Sequence, residues 1–393
     1  MAYPYNGQLS PTVGGGMGGL PTRQSSGQLT TKAAYQYLLS KNLVTPPVFG
    51  SVFKTTLGNG AISCVSLDSS TVLCTYNGTS QFLEAVVLKI SSSGIITAGS
   101  VTVCNAVAVN ISSVCKLSAS KALVTYELAA TGILWAVILD ISDTVVTANT
   151  AVQVATAAVN DLLSCVASTS TQGIVIYYDA GILKAVALNV SGSTITVGTI
   201  SSSTKSFGGA AMAIKITKLT DTTFLVVFPG VSNFLSAVVL SISGSTISWG
   251  TAVSNTVACS EATVVALTPT TALCITAVSG SSPYYTFISI TDTTIALSTT
   301  TSFTDSYISA ATKINIARLS NTSAIFTAKA TTSTFTCFIS TSGTLVTLGQ
   351  SVSPNAMSIT SPVIAELSSE TALLVFGGAS TYLNAVQLVI PGN

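Results

Sequence analysis

Side chains that could perform acid–base or nucleophilic catalysis are scarce in this chain. Its 393 residues include 13 acidic residues, no histidine and two arginines, Arg23 and Arg318. A Ser-His-Asp triad is therefore impossible, and two arginines cannot form the arginine triad that sialidases use. The acids are dispersed near predicted turns, as Asp140 and Asp143 are, and aspartate is a common turn residue. We predict a protein that is not an enzyme and has no catalytic residue.

Motifs for a cofactor or a metal are equally weak. The run Gly14-Gly-Gly-Met-Gly-Gly19 is superficially similar to a phosphate-binding loop. It follows no strand pattern and lacks the Gly-Lys-Ser/Thr ending that such a loop needs. The chain has no Cys-x-x-Cys motif, and it has no histidine to complete a mixed zinc site. We therefore predict no cofactor-binding residues and no metal ligands.

The positions of the eight cysteines predict small buried side chains rather than a disulfide framework. Cys64, Cys115 and Cys165 occupy one equivalent position in three successive repeats, which are described below. Cys74 and Cys274 share another repeat position. Cysteine is among the residues most often buried, and a disulfide framework is typical of much shorter secreted chains. We expect all eight cysteines to be unpaired.

Charge and hydropathy exclude two classes of partner. Charged residues make up 7% of the chain and the formal net charge is +1, so no basic field is available to hold nucleic acid. The mean hydropathy is high, at +0.66. Even so, the longest apolar runs, such as residues 132–139, fall far short of the roughly 18 residues that suggest a membrane helix. We expect no nucleic-acid partner and no membrane insertion.

The dominant pattern is a strand-like run, Ala-Val-x-Leu-x-Ile, that returns seven times. Its first residues are separated by 51, 49, 52, 49, 50 and 49 residues, and they are Ala85, Ala136, Ala185, Ala237, Thr286, Thr336 and Ala385. Each complete repeat has the pattern of four strands with Asn-Gly, Ser-Gly or Asp-Ser turns between them. A period of roughly 40 to 50 residues built from short strands is typical of a β-propeller.

The two ends of the repeat array are complementary. The last repeat stops at Asn393, before a fourth strand, while residues 48–56 have no repeat of their own. Pairing those residues in the last blade would remove the open edges of a linear array. We therefore predict an all-β fold, a seven-bladed β-propeller over residues 46–393 that is closed by the N-terminal strand in the last blade.

Residues 1–45 are predicted to form an extended arm with one short helix. Gly, Ser and Pro dominate the first 29 residues, whereas residues 31–42 have helical spacing. A segment with so few large apolar side chains becomes ordered only on a partner surface. We expect this arm to be an assembly element, and its candidate contact residues are Tyr35, Tyr37, Leu38 and Leu39.

Aromatic side chains near predicted strand ends could stack on sugar rings. The candidates singled out for glycan contact are Tyr284 and Tyr285 in the fifth repeat. Core packing is the alternative explanation for tyrosines at such positions.

The layout of an N-terminal arm followed by a Ser/Thr-rich, histidine-free β domain resembles a tailed-bacteriophage structural protein, such as a fibre, decoration or tail-associated protein. The resemblance implies a non-enzymatic virion protein whose arm docks on neighbouring structural proteins or on further copies of itself, with the propeller displayed outward. The N-terminus lacks the charged and apolar regions of a signal peptide, which favours synthesis in the cytoplasm and a location on the virion. The alternative is a lectin-like propeller that binds a cell-surface glycan or receptor.

Overall fold

The computed structural model describes residues 47–55, 60–159, 162–206, 213–278, 281–303, 312–329, 334–349, 351–352, 360–378 and 382–390. The chain divides into two units, Met1–Val44 and Thr45–Asn393. The predicted arm and helix, with Tyr35, Tyr37, Leu38 and Leu39, lie outside the described residues. Among the described residues, no helix has the length and apolar character needed to cross a membrane.

The second unit is built almost entirely of strands. The first eleven are β1 (Val48–Phe49), β2 (Phe53–Thr55), β3 (Gly60–Ser66), β4 (Thr71–Asn77), β5 (Phe82–Ile90), β6 (Ile96–Ala98), β7 (Thr102–Ser118), β8 (Lys121–Leu128), β9 (Ile133–Ser142), β10 (Val145–Ala148) and β11 (Val152–Ala158). The next eleven are β12 (Leu163–Thr169), β13 (Gln172–Asp179), β14 (Ile182–Ser191), β15 (Thr194–Val197), β16 (Ser201–Ser206), β17 (Lys215–Lys218), β18 (Thr223–Pro229), β19 (Phe234–Ser243), β20 (Thr246–Trp249), β21 (Val253–Ala258) and β22 (Glu261–Thr268). The last eleven are β23 (Thr271–Ala277), β24 (Tyr284–Thr291), β25 (Thr294–Leu297), β26 (Thr301–Ser302), β27 (Thr312–Ser320), β28 (Ser323–Lys329), β29 (Thr334–Ser342), β30 (Leu345–Leu348), β31 (Thr360–Ser368), β32 (Thr371–Gly377) and β33 (Leu383–Val389). A 3-10 turn spans Val231–Asn233.

These strands form antiparallel meanders that repeat along the chain. The long strand β7 joins two of them, because its first half pairs with β5 and its second half with β8. Counted in chain order, the meanders begin with β3, with the second half of β7, and with β12, β17, β22, β27 and β31, and we call them blades 1 to 7. The all-β propeller predicted from the repeats is confirmed.

The first strand of every blade lies at the centre of the ring. Each of these inner strands contacts the inner strand of the next blade, and β31 of blade 7 contacts β3 of blade 1. The outer edge of blade 7 is supplied by the beginning of the described chain. There β1 and β2 pair antiparallel with β33, with Phe49 opposite Leu388 and Phe53 opposite Ala385.

The apolar core is distributed between the blades. Separate clusters of buried side chains join blade 7 to blade 1 and then each successive pair as far as blade 6. The third strands contribute most, since β9 is buried at nearly every position from Leu134 to Leu139. Ala85, Ala136 and Ala385, which begin three of the repeated runs, are completely buried. Small side chains there allow neighbouring sheets to approach closely.

A short polar side chain, a hydroxyl in six blades and a carboxylate in blade 1, shapes the turn between the first two strands of every blade. In all seven turns, a side-chain oxygen accepts a hydrogen bond from the main-chain N–H two residues later. The accepting residues are Asp68, Ser118, Thr169, Thr220, Thr268, Ser320 and Ser368. Such local side-chain bonds explain much of the serine and threonine content of the chain.

The outer strand differs from the sequence prediction. The fourth strand that the repeat pattern predicts for blade 1 is broken in the structure into β6 and the start of β7. The N–H of Gly99, at the break, donates to the carbonyl oxygen of Val87. The break lets the third-to-fourth turn of blade 2 pack against blade 1, and a Cβ on Gly99 would lie 2.2 Å from the carbonyl oxygen of Thr144. The same main-chain bond recurs in later blades, for example from Gly198 and Gly250.

All eight cysteines are free thiols. Cys64, Cys115 and Cys165 lie on the inner strands of three successive blades, as their repeat position predicted. The Sγ atoms of Cys64 and Cys74, on adjacent strands, are 3.3 Å apart. Burial raises the pKa of Cys64, so its reactive thiolate form is disfavoured.

We expect Gly99→Ala to destabilise the propeller by about 1–3 kcal/mol, because the added methyl group would overlap the main chain of the next blade. The matched control is Gly50→Ala, whose added Cβ would meet Gln387 at an ordinary 3.4 Å. Denaturant unfolding of both variants measures the difference. Equal stability of the two variants would show that the blades do not approach closely at Gly99.

Alkylation of the unfolded protein without reductant should modify all eight cysteines, because no disulfide joins them. Intact-mass spectrometry of samples alkylated with and without prior reduction makes the comparison. Fewer modified thiols in the unreduced sample would contradict the structure, and Cys64 and Cys74 would be the first pair to examine.

Candidate binding site at the mouth of the central channel

The inner strands surround a cavity of about 580 Å³ that every blade helps to line. Cavities of this size accommodate small-molecule ligands. One lining residue from each of blades 1 to 7 in turn is Ser63, Ser113, Leu163, Lys215, Glu261, Lys313 and Ile364. Most lining residues come from the beginning of an inner strand, so the cavity lies at the end of the ring where the chain enters each blade.

Polar side chains join neighbouring inner strands around this cavity. An inner strand has no partner strand on the channel side, so its N–H groups need other acceptors. At four blade junctions, a hydroxyl or amide oxygen of one blade accepts a hydrogen bond of 3.0–3.1 Å from a main-chain N–H of the next. The four pairs are Ser63 with Val114, Ser113 with Cys165, Thr217 with Ala266, and Asn315 with Ile364.

A carboxylate takes this role at the junction of blades 5 and 6. Glu261 Oε2 accepts from the N–H of Ile314 at 3.1 Å, and Oε1 lies 3.4 Å from Lys313 Nζ. The Glu261 side chain is 18% exposed, whereas that of Lys313 is 63% exposed. Both oxygens of the Glu261 carboxylate therefore have a partner, one the main-chain N–H of Ile314 and the other the ammonium group of Lys313.

Lys215 is the third charged residue of the cavity, and it has no comparable partner. Among the described residues, no carboxylate or hydrogen-bond acceptor pairs with its Nζ. Burial lowers the pKa of Lys215. The negative charge of Glu261 opposes that shift, while the positive charge of Lys313 adds to it. Lys215 is thus a half-buried lysine that lines the cavity, with a lowered pKa and no partner among the described residues.

The groups that line the cavity are mostly uncharged. It offers hydroxyl and amide groups, strand edges and three charged side chains, with Glu261 as the one carboxylate among its lining residues. Nowhere in the described chain do three Cys, Asp or Glu residues come together as metal ligands could. Paired carboxylates, which glycoside hydrolysis requires, are likewise missing from the residues that line the cavity.

The tyrosines singled out from the sequence lie elsewhere. Tyr284 and Tyr285 begin β24 and do not line the cavity. Tyr285 packs against the core between blades 5 and 6, with its ring edge-on to Phe303 at a centroid distance of 5.8 Å. Tyr284 is partly buried beside it. The structure therefore gives Tyr285 a packing role and does not bring either ring to the channel.

The sequence analysis does not identify Lys215, Glu261 and Lys313 as candidate binding residues. A signal was present, because charged residues are rare in this chain and all three stand near the start of a first strand. Alone, a lysine in a strand predicts a solvent-facing position. Only the closed ring brings the three first strands together.

The comparisons with known proteins address the fold. No protein-family model matches this chain, and no curated protein matches it. Among solved structures, the BP39L lectin from Burkholderia pseudomallei superposes with a TM-score of 0.65 at 9% sequence identity, covering 86% of this chain and 98% of the lectin. A candidate 6-phosphogluconolactonase from Bacteroides fragilis superposes with a TM-score of 0.56 at 10% identity, covering 81% and 96% of the two chains. At such low identity these likenesses establish a shared propeller fold.

Replacing Lys215 with methionine should stabilise the protein by about 1 kcal/mol, because an apolar side chain of similar length removes a half-buried charge that has no partner among the described residues. The pKa of Lys215 is lowered in the folded state, so the wild-type protein carries this penalty below the folded pKa and loses it as pH rises towards the ordinary lysine pKa. The advantage of Lys215→Met should therefore be largest near neutral pH and shrink at alkaline pH. Denaturant unfolding at several pH values measures it.

The exposed Lys116 supplies the control for this experiment. Lys116→Met should change the free energy of unfolding by no more than about 0.5 kcal/mol. A Lys215→Met protein that is less stable than wild type at neutral pH would mean that the ammonium group has a stabilising partner.

Proposed function

We propose that this protein is a carbohydrate-binding propeller without catalytic activity, and that its ligand occupies the mouth of the central channel. The observation that carries this proposal is a cavity of about 580 Å³ lined by all seven blades, whose one carboxylate is already engaged. Glycan binding is the alternative function that the sequence predicts, with Tyr284 and Tyr285 as candidate contacts, and we propose the channel residues as the contact site instead.

A carbohydrate fits the chemistry of this cavity better than an apolar ligand. A sugar hydroxyl both donates and accepts hydrogen bonds, and the cavity offers serine hydroxyls and asparagine amides from several blades, including Ser63, Asn110, Ser361 and Asn315. A few well-placed polar groups in a concave site are the usual basis of specificity. The propeller shared with the BP39L lectin is compatible with this function.

An enzymatic function is disfavoured by the side chains themselves. The candidate 6-phosphogluconolactonase shares the fold, but folds host many unrelated activities and the site decides between them. This chain has no histidine to act as a general base. The Glu261 carboxylate is occupied by Lys313 and by the N–H of Ile314. We therefore assign the channel to binding.

The virion role stays a prediction from the sequence. A propeller that binds surface glycans would suit a particle that recognises a cell, and an N-terminal arm could attach it to neighbouring structural proteins or to other copies. The two functions can coexist, since binding belongs to the propeller and attachment to residues 1–45.

Glycan-array screening of the full chain, followed by calorimetry with the best ligand, tests the proposal. Ala213→Trp should reduce affinity at least about 10-fold, because the indole would fill the mouth of the cavity that Ala213 lines. Ala130→Trp is the control, since Ala130 is exposed in the loop between β8 and β9. Binding of no glycan, or undiminished binding by Ala213→Trp, would contradict the channel as a carbohydrate site.

A further inference from the structure

The charged residues of the channel differ in whether their charge already has a partner in the protein. Glu261 is paired with Lys313 and accepts the N–H of Ile314, so its charge is already compensated. Lys215 has no such partner among the described residues. The three side chains together leave a net charge of +1 in a cavity that is otherwise uncharged along its described lining.

We propose that the channel selects carbohydrates that carry a carboxylate, such as uronic or sialic acids, and that Lys215 is the cation that binds this carboxylate. The inference rests on the proposed carbohydrate-binding function and narrows it to one class of sugar. The hydroxyl and amide groups around the cavity would bind the remainder of the sugar, and the exposed Lys313 would attract the anion to the rim.

The energetic argument follows from the surroundings of Lys215. An ammonium group that has lost part of its hydration, without gaining a partner, is costly to keep charged. A carboxylate that enters the channel supplies the missing partner, and a charge-assisted hydrogen bond is stronger than the bond a neutral hydroxyl makes. A neutral sugar leaves the charge uncompensated. The site should therefore discriminate between two sugars that differ in a single carboxylate.

The pH dependence of binding should carry the signature of Lys215. The titratable groups that act on it are Glu261 from blade 5, Lys313 from blade 6 and Cys165 from blade 3. In the free protein the pKa of Lys215 is lowered, and a bound carboxylate raises it. Affinity for an acidic sugar should fall as pH rises above the pKa of Lys215 in the free protein, whereas affinity for a neutral sugar should stay constant.

Calorimetry of the full chain with matched ligands tests the inference. Methyl glucuronide and methyl glucoside differ only in a carboxylate, sialyl and neutral galactosides extend the comparison, and acetate represents the carboxylate alone. We expect at least one acidic sugar to bind about 10-fold or more tightly than its neutral counterpart. Lys215→Met should abolish that preference, while Lys215→Arg should keep part of it and Lys116→Met should keep all of it.

The possible outcomes distinguish a failure of this inference from a failure of the proposed carbohydrate-binding function. Equal affinity for acidic and neutral sugars, unchanged by Lys215→Met, would overturn the inference and leave carbohydrate binding intact. Binding of acetate as tightly as any acidic sugar would identify a simple anion site and overturn both. If the protein binds none of these ligands and no sugar on an array, both the inference and the proposed function are overturned. Denaturant unfolding of Lys215→Met shows whether the variant is folded under the conditions of the binding experiment, so that loss of the preference can be separated from unfolding.

Discussion

Burial of both faces of every sheet is the constraint on which this structure depends. The central strands of the blades are apolar on both sides, as β9 and β14 show. Such a sheet cannot be stable with water on either face, so it needs a neighbour on each side. A row of blades would still end in two exposed faces. A ring has no ends, and the pairing of β1 and β2 with β33 also supplies the last outer strands.

The same closure creates the candidate site. A ring of sheets leaves the innermost strands with one unpaired edge each, facing the axis. Side chains such as Ser63 and Asn315 satisfy main-chain N–H groups of the following blade and hold the inner strands in register. The axis is therefore a polar cavity inside an apolar ring. Charged groups that line such a cavity are partly shielded from water, and we propose that Lys215 determines its selectivity.

The repeats made most of the fold predictable. A period near 50 residues, an alanine or threonine at one position of the third strand and Ser-Gly turns defined the blades, and the incomplete last repeat indicated where the chain must close. The outer strand was less predictable, because its break depends on the approach of Thr144 in the next blade to Gly99. That contact joins two repeats and has no signature within either.

The site was harder to predict for the same reason. Tyr284 and Tyr285 are predicted glycan contacts because they are aromatic residues near a strand end. Tyrosine also packs in protein cores, and Tyr285 lies against Phe303. Lys215, Glu261 and Lys313 come from three different repeats and show no common motif. Their proximity follows only from the order of blades around the axis. A charged residue at the start of a first strand of a closed propeller is the signal that would have found them.

A crystal structure of the protein with a bound acidic sugar tests the central claim most directly. The account predicts electron density for the sugar in the cavity at the mouth of the channel, with its carboxylate within hydrogen-bonding distance of Lys215 Nζ. Density for the sugar in a groove between the outer strands of two blades, with the channel occupied only by water, would contradict it.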